Sequence, residues 1–310
     1  MQEIVQMPVF KNFYKDDFHF ACVRGCGKCC NSPPELSLFD GFRFFRDFPL
    51  SFKVTLIPFH DNPQALRWLE LGGVRVRVGY VDFVAYASFV PLYRISAHCC
   101  PKLAANGDCS IYDRRPDMCK SVPLRVSAPS CMFRQSMDSI VKEGIEKRGY
   151  LCDISPDAPV LFHGNDLVEE SSAAKGLRAC EENYSRSPGL TSHILSPFFE
   201  AFLKNERNVP ETILNLDIPP IVVFNFAKSF CSVVIGEDAL PDDVSEEDLS
   251  LVSETDFSQI KSAQEALLQD LIDENLRVKD KDDRSVTKVA RSLLETWKRG
   301  EVFKSSMEKD

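Results

Sequence analysis

The chain has 310 residues, of which 44% are apolar and 27% charged, with a formal net charge of −9. Such a composition can bury a core, which excludes a disordered chain. The negative charge repels phosphates and excludes non-specific nucleic-acid binding.

The segment Met1 to Asp17 mixes acidic and basic residues with short apolar runs. It lacks the basic start and continuous apolar stretch of a secretory signal. The most apolar window, Ile218 to Ile235, contains Asn225 and Lys228 and opens on two prolines. Its continuous apolar part falls short of the ~20 residues a spanning helix needs, so it reads as a buried helix. The expectation is a cytoplasmic chain with no membrane partner, in a compartment that keeps thiols reduced.

Phe18 to Pro34 carries a first cysteine group and ends in a turn-like Asn-Ser-Pro-Pro run. Ser37 then offers an N-cap with Asp40 three residues on, which predicts a short helix through about Phe45. The Phe-rich stretch Phe39 to Phe52 reads as core. Gln64 to Leu71 predicts a helical turn or two, stopped by Gly72-Gly73. Val74 to Tyr86 alternates β-branched and aromatic residues with charged ones and predicts one long strand or a hairpin. Phe89 to Ile95 is a second extended piece, and Cys100 to Pro123 reads as loop with short turns. A helix is expected over Arg134 to Arg148. The next stretch holds Pro156, Pro159, Gly164 and Gly176 and reads as irregular.

Ser192 to Lys204, Pro219 to Val234, Asp256 to Leu276 and Ser285 to Phe303 show helical apolar spacing. Acidic linkers, notably Glu237 to Asp248 and Lys279 to Asp283, separate them. The expected class is α+β: a small cysteine-cluster metal-binding domain with few strands over 1–155, an irregular linker over 156–190 and an α-helical region over 191–310. The C-terminal helices predict a small bundle or a surface for a protein partner.

Nine of the twelve cysteines lie between Cys22 and Cys131. In a reducing compartment, clustered cysteines are more often metal ligands or catalytic groups than disulfides. The first group is Cys22-Val-Arg-Gly-Cys26-Gly-Lys-Cys29-Cys30, a C-x3-C-x2-C-C spacing that can wrap a metal centre. Gly25 and Gly27 supply unusual backbone angles, and Arg24 and Lys28 favour thiolates. The second group is Cys99-Cys100, Cys109 and Cys119, with Cys131 twelve positions further on. These longer spacings suit ligands on loops that fold back on the first group. Cys99 reads as a spare thiol. His98 is a ligand candidate weighed against an ordinary strand-end histidine. Cys152, Cys180 and Cys231 are too scattered for a motif and read as ordinary buried cysteines. The spacing of Cys22, Cys26 and Cys29 also matches the radical S-adenosylmethionine signature. Cys30, however, offers a fourth ligand, and the alternating strands and helices of that fold are not seen after the motif.

These motifs resemble the zinc- or iron-chelating cysteine-cluster domain family, which is related to the flagellin lysine N-methylases. Phe20, Cys22, Cys26, Gly27, Cys29 and Cys30 match its first cluster, and Leu36, Ser37 and Asp40 its Leu-Ser-x-x-Asp segment. Cys100, Pro101, Leu103, Cys109, Ile111, Tyr112, Arg115, Pro116, Cys119 and Pro123 match a third segment, with Lys120 in place of the usual Arg. The resemblance spans roughly 18–131 and leaves the C-terminal region unmatched.

It implies a metal held by Cys22, Cys26, Cys29, Cys30, Cys100, Cys109, Cys119 and Cys131, as one centre or two. An iron–sulfur cluster of the 4Fe-4S type is the leading cofactor and zinc the alternative; spacing alone does not separate them. Tyr112 and Arg115 are candidate cofactor-binding residues. They can shape the loop around the metal, and Arg115 can neutralise thiolate charge or bind an anionic ligand. Two functions stay open. The favoured one is a redox or metal-handling module. The other is an S-adenosylmethionine-dependent protein lysine N-methyltransferase that uses the cluster as cofactor. No catalytic residue is identified by either.

Overall fold

A computed structural model of the chain describes residues 14–31, 33–60, 62–94, 100–186, 191–195, 214–235 and 246–299. The expected positions His98 and Cys99, and part of the expected helix from Ser192, lie outside these residues.

The central sheet is antiparallel. It contains β2 (Leu50–Pro58), β3 (Val74–Val78), β4 (Val81–Pro91) and β7 (Leu214–Ile218), in the order β3-β4-β2-β7. The expected alternation from Val74 resolves into a hairpin. Val78 faces Val81 across a two-residue turn, and Gly79 sits there at φ +62, where a type II′ turn places glycine. β4 does not break between Tyr86 and Phe89 as expected. It pairs with β2 without interruption from Leu50↔Pro91 to Pro58↔Phe83, and that ladder carries the strand through Ala87 and Ser88.

Side chains of β4 alternate between two cores. Phe83, Ala85 and Phe89 face one, with Phe52, Val54 and Leu56 of β2. Val84 and Tyr86 face the other. On the first face lie α1 (Leu38–Phe44), α6 (Pro220–Ile235), α7 (Glu246–Glu254), α8 (Phe257–Val278) and α9 (Arg284–Arg299). Ser37 caps α1, its Oγ accepting from the Asp40 N–H at 3.1 Å. α1 lies flat on the sheet because residue 41 is glycine: a Cβ there would sit 2.2 Å from the Phe89 ring. Phe224 of α6 then packs against Phe42 at 4.8 Å and Phe89 at 5.0 Å between centroids. Gln264 of α8, fully buried, accepts from the Leu50 N–H at 2.8 Å and donates to the carbonyls of Phe45 and Phe48.

The second face is covered by α2 (Pro63–Glu70), α4 (Phe133–Arg148) and α5 (Ser172–Ser185). Trp68 of α2 stacks on Tyr86 at 3.7 Å. Beside them a small sheet joins β1 (Phe18–His19), β5 (Val160–His163) and β6 (Asp166–Leu167) in the order β1-β5-β6.

The α+β class is the one expected, but its parts interlock. The 156–190 stretch read as irregular carries β5, β6 and α5, and β7 from the helical region completes the central sheet by pairing with β2 from Phe52↔Ile218 to Leu56↔Leu214. One core therefore takes residues from both sides of the expected linker. Among the described residues no helix is long and apolar enough to cross a membrane.

Candidate metal centre

Two irregular loops and one short helix build the site. In the first loop the Cys26 N–H donates to the Val23 carbonyl at 3.3 Å and the Cys30 N–H to Gly27 at 3.1 Å. Gly25 and Gly27 take φ of +75 and +60, a region that costs a side-chain-bearing residue about 1 kcal/mol or more. In the second loop Leu103 bridges Cys109, and the Ser110 N–H donates to Lys102 at 2.7 Å.

The loops dock through glycine. A Cβ on Gly107 would stand 2.2 Å from the Gly25 carbonyl oxygen, and one on Gly27 would stand 2.7 Å from the Leu103 side chain. Alanine at 107 would collide with the Gly25 backbone and push the loops apart, whereas alanine at 27 would displace only the end of the Leu103 side chain. The third piece is α3 (Asp117–Lys120), which carries Cys119 and is seated on α5 by Gly176, where a Cβ would meet Lys120 at 2.5 Å.

Between these pieces lies a cavity of about 550 Å³. Cys22, Cys26, Cys29, Cys30, Cys100, Cys109 and Cys119 all line it, as do Tyr112 and Arg115. Cys131 does not. It is exposed on the turn Ser130–Met132, and the chain there turns Phe133, Arg134, Met137 and Val141 inward instead. Arg134 packs over the rings of Tyr14 and Phe18 at 4.9 and 4.6 Å.

Cys152, read from sequence as an ordinary buried cysteine, is an eighth thiol on the cavity wall. No local motif marks it, because it arrives through a tertiary pairing of its neighbour Asp153 with Ala21. Cys180 is buried away from the cavity, as read. The described cysteines form no disulfide.

The thiols feel one another. Burial raises Cys119 to about 12, helped by Cys100 and Cys29. Burial also raises Cys152 to about 11, with Cys22, Cys26 and Cys29 adding to it, and it raises Cys22. Cys29 and Cys30 share a thiol–thiol hydrogen bond. It brings Cys29 down to about 7 and pushes Cys30 well up. So many thiols in one place resist ionising together unless a cation neutralises them. Protein cations supply part of that charge. Arg115 lowers Cys22, Cys29 and Cys119, and it packs with Arg24 over the Tyr112 ring at 4.2 and 4.8 Å. Backbone donors reach sulfur as well: Leu151 N–H to Cys26 at 3.4 Å and Lys102 N–H to Cys100 at 3.4 Å. Donors of this kind tune a metal-bound thiolate. Tyr93 also hydrogen-bonds Cys100, and burial beside Cys100 and Cys119 raises its phenol.

The donor set is thus all sulfur, with amides aimed at two of its members. Among the described residues no three His, Cys, Asp or Glu side chains converge closely enough to hold one metal ion. A tetrahedral zinc site made of thiolates alone needs four sulfurs, each about 2.3 Å from one point. A multi-iron cluster spreads its thiolates further, because each binds a different iron. The clustered thiols are the donor type that a thiolate-held metal group of either kind takes.

Comparisons with models of protein families, with curated proteins and with solved structures find no match for this chain.

Proposed function

We propose that the protein holds an iron–sulfur cluster in the cavity between its two cysteine loops and serves as a redox or metal-handling module. The observation that carries this is the meeting of eight thiols from well-separated parts of the chain on one cavity wall. When bound, the cluster would supply electron transfer. The chain's own residues would supply thiolate ligands, Arg115 to offset their charge, and the amides of Leu151 and Lys102 to tune two of the sulfurs. The resemblance to the cysteine-cluster domain family supports the same reading. Anaerobic purification followed by iron and acid-labile sulfide analysis tests it. The expected result is a brown protein with equal iron and sulfide, about four or more of each per chain. A colourless protein with one or two zinc ions would overturn the choice of cofactor.

A second reading, S-adenosylmethionine-dependent methylation of protein lysine, is favoured by the cavity's size. At about 550 Å³ it lies within the ~300–1,000 Å³ range of small-molecule sites, and Val126, Ile140 and Val141 give it an apolar wall beside the thiols. Adding S-adenosylmethionine to the anaerobic protein should raise its unfolding temperature if it is a true ligand. No shift would rule this reading out.

A further inference from the structure

Cys152 stands apart from every sequence motif, yet the fold carries it to the first cysteine loop. The link is a short antiparallel pairing. Ala21 and Asp153 exchange two backbone hydrogen bonds, at 2.8 and 3.0 Å. The pairing is an isolated bridge, and Cys22 and Cys152 each lie one residue from it on the two facing segments. Both side chains line the cavity.

A second tie holds the same stretch. The Leu151 N–H donates to Cys26 Sγ at 3.4 Å, so the residue before Cys152 is fastened to the next cysteine of the loop. The Phe20 N–H donates to the Pro159 carbonyl at 2.9 Å and extends the pairing toward β1 and β5. Cys100 and Cys109 on the second loop and Cys119 on α3 line the same cavity as Cys22, Cys26, Cys29, Cys30 and Cys152.

We propose that Cys152, and not Cys131, is the eighth metal ligand. The proposal rests on the thiolate-metal reading above and deepens it by assigning ligands.

The test uses the full chain purified without oxygen, with iron and sulfide counted in the wild type, Cys152→Ser, Cys131→Ser and Cys100→Ser. Cys152→Ser and Cys100→Ser should each lose metal relative to the wild type, and Cys131→Ser should keep all of it. Full metal in Cys152→Ser, or an equal loss in Cys131→Ser, overturns the assignment while leaving the metal reading in place. A wild type without metal overturns both.

Because Cys152→Ser can also fail by misfolding, thiol alkylation of the wild type read by mass spectrometry gives a second measurement. Cys152 should be protected from iodoacetamide together with Cys22, Cys26 and Cys29, and should become reactive with them when a chelator strips the metal. Cys131 should react in both states. Cys152 reacting at the same rate before and after metal removal overturns the proposal.

Discussion

The two sides of this molecule are held together in different ways. On one, regular elements bury aromatic rings: Phe42, Phe89, Phe224 and Trp297 pack in a core that strands and helices would form without any ligand. On the other, two irregular loops with left-handed glycines meet around thiols. The first side is fixed by apolar burial, which every buried methylene strengthens. The second buries few apolar side chains of its own loops, so its order has to come from glycine docking and, on the proposed function, from the group its sulfurs would hold. The same contrast separates a foldable scaffold from a site whose stability depends on its occupant.

Metal removal should break this balance most visibly. Under a chelator, amide hydrogen exchange should accelerate by orders of magnitude in 22–30 and 100–119, while β2 and β4 keep their protection. Equal loosening of the sheet would mean that the two sides are not separately stabilised.

Phe224→Ala probes the aromatic side. The ring is fully buried between Phe42 and Phe89, and its loss should cost about 3–5 kcal/mol in urea unfolding. The metal content should not change. Gln264→Ala removes a buried side chain that satisfies three backbone groups at the turn into β2. It should cost about 1–3 kcal/mol, because those groups are left unpaired away from water. Gly107→Ala probes the other side. Its φ of +83 and the 2.2 Å approach to Gly25 predict a loss of about 1–3 kcal/mol, and this time the metal content should fall as well. A Gly107→Ala protein with full metal would show that the loops need not touch.

The smallest effect is a pH dependence at Asp40. Burial in α1 pushes its carboxyl up to about 6, with Asp117 adding to the shift and Arg43 opposing it. A carboxyl raised in the folded state above its unfolded value near 3.9 weakens folding when ionised. That cost is complete above about pH 6 and fades as the pH falls toward about pH 4. Asp40→Asn should therefore stabilise the protein by about 1–3 kcal/mol near pH 8 and by little near pH 4. An equal gain at both pH values would show that the effect is not one of charge.

Much of this contrast was legible in the sequence, and the gaps have physical causes. The N-cap of α1 was readable because Ser37 and Asp40 interact locally. The β3–β4 hairpin and the glycine-rich first cysteine loop were readable for the same reason. The strands β2 and β7 were not, because Leu50 to Pro58 begins inside the Phe-rich stretch read as core and is buried on both faces from Val54 to Ile57. Leu214 to Ile218 becomes a strand only by pairing with β2. The same limit applies at the site. Seven of the thiols on the cavity wall belong to compact motifs, whereas Cys152 is brought there by the pairing of Ala21 with Asp153, which no spacing encodes. Cys131 lies close to the second motif in sequence, yet the start of α4 turns it outward.

The most direct test of the central claim is X-ray absorption at the iron edge of the anaerobically purified protein. The account predicts iron surrounded by sulfur alone, with further iron neighbours beyond that shell, as in a thiolate-bound cluster. Iron bound through oxygen or nitrogen, or a protein that carries zinc and no iron, would contradict it.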